Sequence, residues 1–255
     1  MIVNDLKRFL DTKVAFYNTR EFILPDPVSI PHGFTRKEDI EIAGFLTALI
    51  SWGRRPAILK AATRLMEAMD GAPYDFVTGY SNNDLKRLSG WGYRTFRDSD
   101  LLFLLEALRM LYREQGGLEA VCTKYFEQYG SIKAVITGLR CTLLKTVHLP
   151  RSEKHLAAPE KGSAAKRINM FLRWMVRYDD RGVDFGLWKK IPSAALMIPL
   201  DVHSGNTART LGLLRRRQND WKAVEELTAR LRAFDPSDPV KYDYALFGIG
   251  IYEKR

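Results

Sequence analysis

The most informative segment of the chain is Ile198-Pro-Leu-Asp-Val-His-Ser-Gly-Asn-Thr-Ala-Arg-Thr-Leu-Gly-Leu213. It places one acid, Asp201, after a short apolar run and directly before a predicted helix that carries Arg209. Thirty-five residues upstream, Lys166 lies near the start of another predicted amphipathic helix, 164–178. An acid and an amine at the starts of two helices form a pair that can perform acid–base or nucleophilic chemistry.

Apolar residues recur at helical spacing along the chain, and no run alternates apolar and polar residues long enough to predict a strand. Residues 70–79 contain Gly71, Pro73 and Gly79 and predict a loop. Helices are predicted over 5–18, 37–51, 56–69, 98–112, 118–128, 131–145, 164–178, 204–214 and 221–234, with a last short helix after residue 240. The sequence therefore predicts an all-α fold.

The composition excludes several classes of protein. The 255 residues are 46% hydrophobic and 27% charged, which is typical of a globular chain. No apolar run reaches the roughly eighteen residues that span a membrane, and the N-terminus lacks a signal-peptide pattern, so we expect a cytoplasmic protein with no membrane partner. Cys122 and Cys141 are too few for a four-cysteine iron–sulfur cluster, and the histidines are not grouped with carboxylates. No metal or cofactor is expected.

The positive charge of the chain is concentrated in one region. Residues 140–217 contain sixteen Lys or Arg and six Asp or Glu, and this surplus equals the net charge of +10 of the whole chain. A solvated basic surface is sufficient to explain it. Because the surplus surrounds Lys166 and Asp201, it also favours a partner that carries phosphate groups.

A helical projection divides the predicted helix 164–178 into an apolar face and a basic face. Lys166, Arg173 and Arg177 fall on the face opposite the core. A solvated stripe on an ordinary surface helix would explain them, but two features of Lys166 weaken that interpretation. The first turn of a helix disfavours a cation, and the neighbouring Lys161 and Arg167 add to this effect. Both influences favour the uncharged amine of Lys166, which is the nucleophilic form.

Asp201 has two compatible roles at the start of its helix. The first is that of an N-cap, which aspartate commonly fills. The second is catalytic, because a carboxylate held by helix amides can stabilise an oxocarbenium-like sugar or accept a proton from an attacking amine. A capping carboxylate is also rigidly placed, so one role supports the other.

The pattern Pro199-Leu-Asp-Val-His203, followed by Ala208-Arg209 and Leu211-Gly-Leu213, resembles the Pro-Val-Asp-x-His…Arg…Leu-Gly-Leu signature of helix-hairpin-helix DNA glycosylases. The resemblance implies that Asp201 is the catalytic aspartate and that His203 matches the histidine beside it. In bifunctional members a lysine of the preceding hairpin attacks C1′ of a flipped nucleotide, and Lys166 is the candidate for that lysine. The C-terminal half, through Asp238-Pro-Val-Lys-Tyr-Asp-Tyr-Ala245, also resembles a bacterial family of unknown function, the DUF2400 type, distantly similar to archaeal 8-oxoguanine DNA glycosylases.

The hairpin differs from the usual Leu-Pro-Gly-Val-Gly-x-Lys pattern. Here it reads Ala158-Pro-Glu-Lys-Gly-Ser-Ala-Ala-Lys166, so one hairpin glycine remains and the lysine follows it by four residues instead of two. The archaeal type has a similarly long lysine-to-aspartate spacing and a modified hairpin, so the resemblance favours that type. It implies a single glycosylase-like unit over 1–255 with a cleft between two helical lobes. The lobes are predicted over 1–139, joined by the C-terminal tail, and over 140–255.

Aromatic side chains lie next to arginines in Trp52-Gly-Arg-Arg55 and in Trp91-Gly-Tyr-Arg-Thr-Phe-Arg97. This combination suits stacking on an unpaired base, and it equally suits a helix end with the aromatics in the core. A protein that flips bases is expected to line its base pocket with Trp52, Trp91, Tyr93 or Phe96. For His203, a hydrogen-bonded structural role is the alternative to binding. The candidate DNA-binding residues are His203, Arg173, Arg177, Arg209, Trp52, Arg54, Arg55 and Trp91.

The leading hypothesis is a monomeric DNA glycosylase with AP-lyase activity on double-stranded DNA that contains a damaged base, such as the oxidised purine 8-oxoguanine. Lys166 is the nucleophile in this hypothesis, and Asp201 is its electrostatic or general-base partner. One alternative is a non-catalytic DNA- or RNA-binding protein on the same scaffold. Another is an interaction module whose basic surface binds an acidic protein. The first two predict salt-sensitive DNA binding, and only the first predicts a covalent adduct.

Overall fold

A computed structural model describes residues 3–253, in which every regular element is a helix. The all-α prediction is therefore confirmed. Short 3₁₀ turns connect the α-helices of this part of the chain, which are α1 (Val3–Tyr17), α2 (Lys37–Ile50), α3 (Arg55–Ala68), α4 (Pro73–Gly79), α5 (Asn82–Lys86), α6 (Asp98–Glu114), α7 (Gly117–Tyr129), α8 (Ile132–Leu143), α9 (Lys166–Val176), α10 (Val202–Thr210), α11 (Trp221–Phe234) and α12 (Tyr242–Tyr252).

Helix α4 replaces most of the loop predicted over residues 70–79, and the short helix α5 follows it. Pro73 occupies the first position of α4, where its missing amide hydrogen costs nothing and its fixed φ angle suits a helix. Ser81 and Asp84 form a reciprocal capping box at the start of α5. The loop prediction for 70–79 was wrong because proline was interpreted as a breaker instead of as a helix start.

The chain divides into two compact units, whose bounds differ from those of the predicted lobes. We call Leu24–Ala157 the central unit, and Met1–Ile23 together with Ala158–Arg255 the terminal unit. The division into glycosylase-like lobes stays a prediction. None of the helices within residues 3–253 is long and apolar enough to cross a membrane.

The central unit is built around α2, whose residues from Ile40 to Ile50 are all buried. Helices α3 and α4 pack on α2, and α6 packs on α4, α7 and α8. The start of α6 is tied to the segment 150–155 through Asp100, which accepts hydrogen bonds from Ser152 Oγ (2.6 Å) and Arg151 Nη1 (3.1 Å). Buried polar groups therefore fix one connection of this unit, in addition to its apolar core.

The terminal unit is built around α12, which packs on both α1 and α10. Glycines make both contacts close. A Cβ added to Gly248 would overlap the ring of Tyr17, and one added to Gly250 would lie 2.9 Å from Thr207 Oγ1 and 3.0 Å from the carbonyl oxygen of His203. The start of α10 is consequently held against the surface of α12, and this contact positions the segment that contains Asp201.

Candidate active site

Asp201 is the N-cap of α10, as predicted. Its Oδ1 accepts hydrogen bonds from the backbone amide of Ser204 (2.9 Å) and from the Ser204 hydroxyl (3.1 Å). The hydroxyl oxygen of Ser204 in turn accepts a hydrogen bond from the Asp201 amide (3.0 Å), which completes a capping box. Both bonds to the carboxylate involve Oδ1, and Asp201 is half-buried, so Oδ2 of a rigidly placed carboxylate stays available for other contacts.

Arg209 has a structural role near Asp201 that the sequence did not reveal. Its Nη2 donates to Asn219 Oδ1 (2.6 Å) and its Nε donates to the carbonyl of Arg216 (2.9 Å). Asn219 Nδ2 donates to the carbonyl of Asp201 (3.0 Å). Gly205 permits this arrangement, since a Cβ there would lie 2.9 Å from Asn219 Oδ1. The predicted DNA-binding role of Arg209 stays a prediction, beside a role in bracing the start of α10.

Lys166 is the first residue of α9, and its side chain is half-buried. The only hydrogen-bond contact of its Nζ within residues 3–253 is with Met170 Sδ, at 3.6 Å, and no carboxylate in that part of the chain pairs with it. A thioether is a weak acceptor, so this contact leaves most of the hydrogen-bonding capacity of the amine unused. Within the described part of the chain, Lys166 thus has no strong hydrogen-bond partner, and its role as a nucleophile stays a prediction.

The segment before Lys166 forms a defined turn despite its unusual sequence. A 3₁₀ turn over Pro159–Lys161 ends at Gly162, whose φ of +89° is readily adopted by glycine. Ala165 has a φ of +50°, a left-handed conformation that is costly for a residue with a Cβ. The turn is held by a hydrogen bond from the amide of Trp221 to the carbonyl of Gly162 (3.0 Å). Strained backbone thus lies directly before the candidate nucleophile.

Arg173 and Arg177 do not form the solvated stripe of an ordinary surface helix, which was one interpretation of the face opposite the core. Arg173 is 3% exposed and Arg177 is 2% exposed. Arg177 pairs with Asp184 (Nη1 to Oδ2, 2.9 Å) and Asp238 (Nε to Oδ2, 2.9 Å), and Arg173 also pairs with Asp184 (Nε to Oδ1, 3.2 Å). The projection failed because α9 is surrounded, so carboxylates from later segments cover its polar face. These arginines hold the unit together, and a direct DNA contact would require them to be uncovered.

Asp243, on α12, is the important residue that the sequence analysis did not single out. Its carboxylate accepts a hydrogen bond from Arg173 Nη1, and its side chain is nearly buried. Burial raises the pKa of Asp243 to about 7, and the negative charge of Asp201 acts in the same direction, whereas Arg173 and Lys166 oppose the rise. A carboxyl group that titrates near neutral pH can give or take a proton under ordinary conditions. In the sequence, Asp243 could have been recognised as an acid within an otherwise apolar helix.

Helical spacing explains how three elements meet around Asp243. On α12, Asp243, Phe247 and Gly250 follow one another at intervals of four and three residues, so they share a face. Phe247 and Gly250 contact His203 of α10, with 6.5 Å between the ring centres of Phe247 and His203. Asp201 precedes His203 by two residues, and its negative charge acts on Asp243. The aromatic contact gives His203 a packing role, and its binding role stays a prediction.

The aromatic residues predicted to bind a base belong to the central unit. Trp91, Tyr93 and Phe96 are buried, and the rings of Trp91 and Phe96 meet edge to face with 5.8 Å between their centres. Trp52 is half-buried and stacks on His155 at 6.1 Å. This packing matches the alternative interpretation, in which the aromatics end helices within a core. Base stacking by Trp52 stays a prediction.

The two arginines that follow Trp52 lie at the start of α3. Arg54 is the N-cap of that helix and is exposed, and Arg55 is its half-buried first residue. Their predicted contact with DNA is untested. Within residues 3–253, no three His, Cys, Asp or Glu side chains are grouped as metal ligands.

Comparisons with known proteins agree with the resemblance noted for the C-terminal half and extend it. Neither the curated proteins nor the solved structures include a significant match to this chain. One family model matches residues 26–252, a range that includes Lys166, Asp201 and Asp243. Since this match covers most of the 255 residues, the chain belongs to the family described as protein of unknown function, DUF2400.

Proposed function

We propose that this protein is a base-excision DNA glycosylase with AP-lyase activity, in which Lys166 is the nucleophile and Asp201 its carboxylate partner. One observation carries the proposal. Lys166 and Asp201, far apart in sequence, belong to one compact unit and both act electrostatically on the same buried carboxyl group, that of Asp243. The resemblance to helix-hairpin-helix glycosylases supplies the reaction class, and an oxidised purine such as 8-oxoguanine is the proposed lesion.

The reaction begins with attack by the lone pair of Lys166 Nζ on C1′ of the damaged nucleotide. The bond from C1′ to the base nitrogen breaks, and its electron pair leaves with the base, which takes up a proton. Asp201 stabilises the positive charge that develops on the sugar and accepts a proton from the attached nitrogen. Its fixed orientation in the capping box supports this role, because a preorganised carboxylate needs little rearrangement during the reaction.

The second stage breaks the DNA strand. The nitrogen lone pair forms a C=N bond as the C1′–O4′ bond of the sugar opens, and O4′ takes up a proton. Removal of a proton from C2′ then expels the 3′ phosphate with the electron pair of its C–O bond. Borohydride adds a hydride to the C=N carbon and converts this intermediate to a stable secondary amine, so the reaction has a covalent signature.

Borohydride trapping on a panel of duplexes tests the proposal directly. The panel contains an abasic site, 8-oxoguanine opposite each base, and an undamaged control. The wild-type chain is expected to form a covalent adduct, and Lys166→Ala is expected to lose it. Lys161→Ala is a matched control, since Lys161 is an exposed lysine of the same hairpin, and it is expected to keep the adduct.

The same experiment separates the glycosylase from the non-catalytic DNA- or RNA-binding protein. Salt-sensitive DNA binding without an adduct on any duplex, and with no effect of Asp201→Asn, would reject the enzyme and leave the binding protein. Binding that is indifferent to nucleic acid would favour the module that contacts acidic proteins.

A further inference from the structure

The loop between α10 and α11 contains three consecutive arginines, Arg215 to Arg217, which belong to the basic surplus of residues 140–217. We call residues 215–218 the arginine loop. The loop borders a pocket of about 650 Å³ in the terminal unit. The pocket is lined by Arg215, Arg216, Arg217, Gln218, Lys222 and Glu226, so four of its six lining side chains are basic.

The acidic groups near this pocket are already engaged. Glu226 accepts hydrogen bonds from the backbone amides of Arg215 (2.7 Å) and Arg216 (3.3 Å). Asp220 accepts a hydrogen bond from Arg216 Nε (2.6 Å), and this pairing lowers the pKa of Asp220 to about 2. These contacts fix the backbone of the loop and occupy one of its three guanidinium groups.

The remaining cations of the pocket are unpaired. Arg215 and Arg217 are exposed, and Lys222 follows closely at the start of α11. Within residues 3–253, none of these three side chains has a hydrogen-bond or ion-pair partner. Three exposed cations around a pocket whose carboxylates are engaged favour an anionic ligand with several acceptor oxygens. Guanidinium groups match phosphate oxygens in pairs.

The arginine loop is also attached to the candidate active site. Arg209 donates to the carbonyl of Arg216 and to Asn219, and Asn219 donates to the carbonyl of Asp201. This chain of hydrogen bonds fixes the distance between the loop and the capping carboxylate of α10. An anion in the pocket would therefore lie at a constant distance from Asp201, the residue proposed to act on the sugar.

We propose that the pocket of the arginine loop binds backbone phosphates of the DNA strand that contains the reacting nucleotide. The proposal rests on the proposed function for the identity of the ligand. The pocket then contributes affinity that does not depend on base sequence, and it positions the strand relative to Asp201.

The test compares two variants that each lose two positive charges. Arg215→Gln/Arg217→Gln changes the pocket, and Lys124→Gln/Lys133→Gln changes two exposed lysines of the central unit. Binding to an undamaged duplex is measured by fluorescence anisotropy over a range of salt concentrations. The pocket variant is expected to bind more weakly, and the slope of log affinity against log salt is expected to decrease by about one for each phosphate that the variant no longer binds. The lysine variant is expected to retain the wild-type slope.

An equal slope and affinity for the two variants would overturn the proposal. Binding of inorganic phosphate in the pocket that leaves the DNA bound, at matched ionic strength, would also overturn it, because it would identify a site for a small anion alone. The same titration with single-stranded RNA would overturn it if the pocket variant lost affinity for RNA and not for the duplex. Thermal unfolding checks the fold of the double variant, and Arg217→Glu alone serves as a second variant. Because this duplex is undamaged, the slope of log affinity against log salt does not depend on base excision. If the wild-type chain forms the adduct but the pocket variant keeps the wild-type slope, only the pocket proposal is rejected. If the slope of the pocket variant decreases but the wild-type chain forms no adduct, only the glycosylase proposal is rejected.

Discussion

Arg173 and Asp243 form a buried ion pair in which Arg173 Nη1 donates to Asp243 Oδ2, with the two residues 3% and 7% exposed. The pair joins α9, which begins at Lys166, to α12, the central helix of the terminal unit. Because Lys166 and Asp201 both influence the charge of Asp243, the residues proposed for chemistry are coupled to the buried charge network of this unit. Stability and chemistry in the terminal unit are thus linked through one carboxyl group.

Replacement of Arg173 by Met tests the contribution of this network to stability. The substitution leaves Asp184 and Asp243 buried with fewer partners, and loss of one partner from a buried ion pair typically costs about 3–5 kcal/mol. We expect the free energy of unfolding in urea to fall by that amount. Arg181→Met is the control, since Arg181 is half-exposed and faces an exposed Asp180, and a change within about 0.5 kcal/mol is expected. Equal midpoints for the two variants would show that the buried network contributes little.

The pKa of Asp243 predicts how stability depends on pH. Burial raises the pKa from 3.8, the ordinary value of aspartate, to about 7, so the folded state binds this proton more tightly than the unfolded state does. The stabilisation that this proton contributes to the folded state is complete below the ordinary pKa of aspartate. It is lost as the pH rises toward 7, by at most about 1.4 kcal/mol per pH unit. Urea unfolding between pH 4.5 and 7 is expected to show this loss in the wild type relative to Asp243→Asn, which cannot titrate. Parallel profiles for the two proteins would contradict the raised pKa.

The Asp243→Asn variant also tests the role of Asp243 in the proposed reaction. Asp243 is a positioning residue in the proposed mechanism, because it acts through the charges of Lys166 and Asp201. Asp243→Asn is therefore expected to move the pH profile of borohydride trapping and to retain an adduct at its own optimum. An unchanged profile with a lower yield at every pH would indicate a purely structural role.

Substitutions of Asp201 separate its two roles. Asparagine is also a good N-cap, so Asp201→Asn is expected to preserve the midpoint of unfolding and to reduce the rate of adduct formation. Asp201→Ala removes the cap as well and is expected to cost a further 1 kcal/mol or so, about the usual value for a lost N-cap. A wild-type trapping rate in Asp201→Asn would leave Asp201 with a capping role alone.

The close approach of α10 and α12 predicts a strong effect of a single methyl group. In Gly250→Ala, the new Cβ would lie 3.0 Å from the backbone of His203, which cannot move independently of α10. We expect a loss of about 1–3 kcal/mol in the free energy of unfolding and a slower adduct, because Asp201 shifts with the helix. Gly79→Ala is the matched control, a helical glycine with no atom within 4 Å of the new Cβ, and it is expected to be neutral or stabilising. Similar losses in both variants would disprove this packing argument.

Local signals accounted for most helices and for the cap at Asp201. The predicted helix 37–51 is observed as Lys37–Ile50, and 221–234 is observed as Trp221–Phe234. Predicted helix 204–214 ends earlier, at Thr210, because Gly212 adopts a φ of +72°. These features depend on the periodicity of side chains and on hydrogen bonds between near neighbours, both of which can be inferred from the order of residues.

The roles of individual charged residues could not be inferred in this way. Arg140 illustrates the difficulty, because it was counted within the basic surplus and is in fact buried, with its guanidinium bonded to Glu153 and to the carbonyl of Leu156. A helical projection identifies the face of a helix on which a charge lies, and it contains no information about what covers that face.

By itself, the sequence determined the helical class, the capping of α10 by Asp201 and the position of Lys166 near the start of a helix. Only the tertiary structure decided that Arg173 is buried and that the charges of Lys166 and Asp201 both act on Asp243. The reason is physical. Helices and caps arise from contacts within a few residues, whereas the burial and pKa of a charged group depend on carboxylates and guanidinium groups that distant segments bring to it.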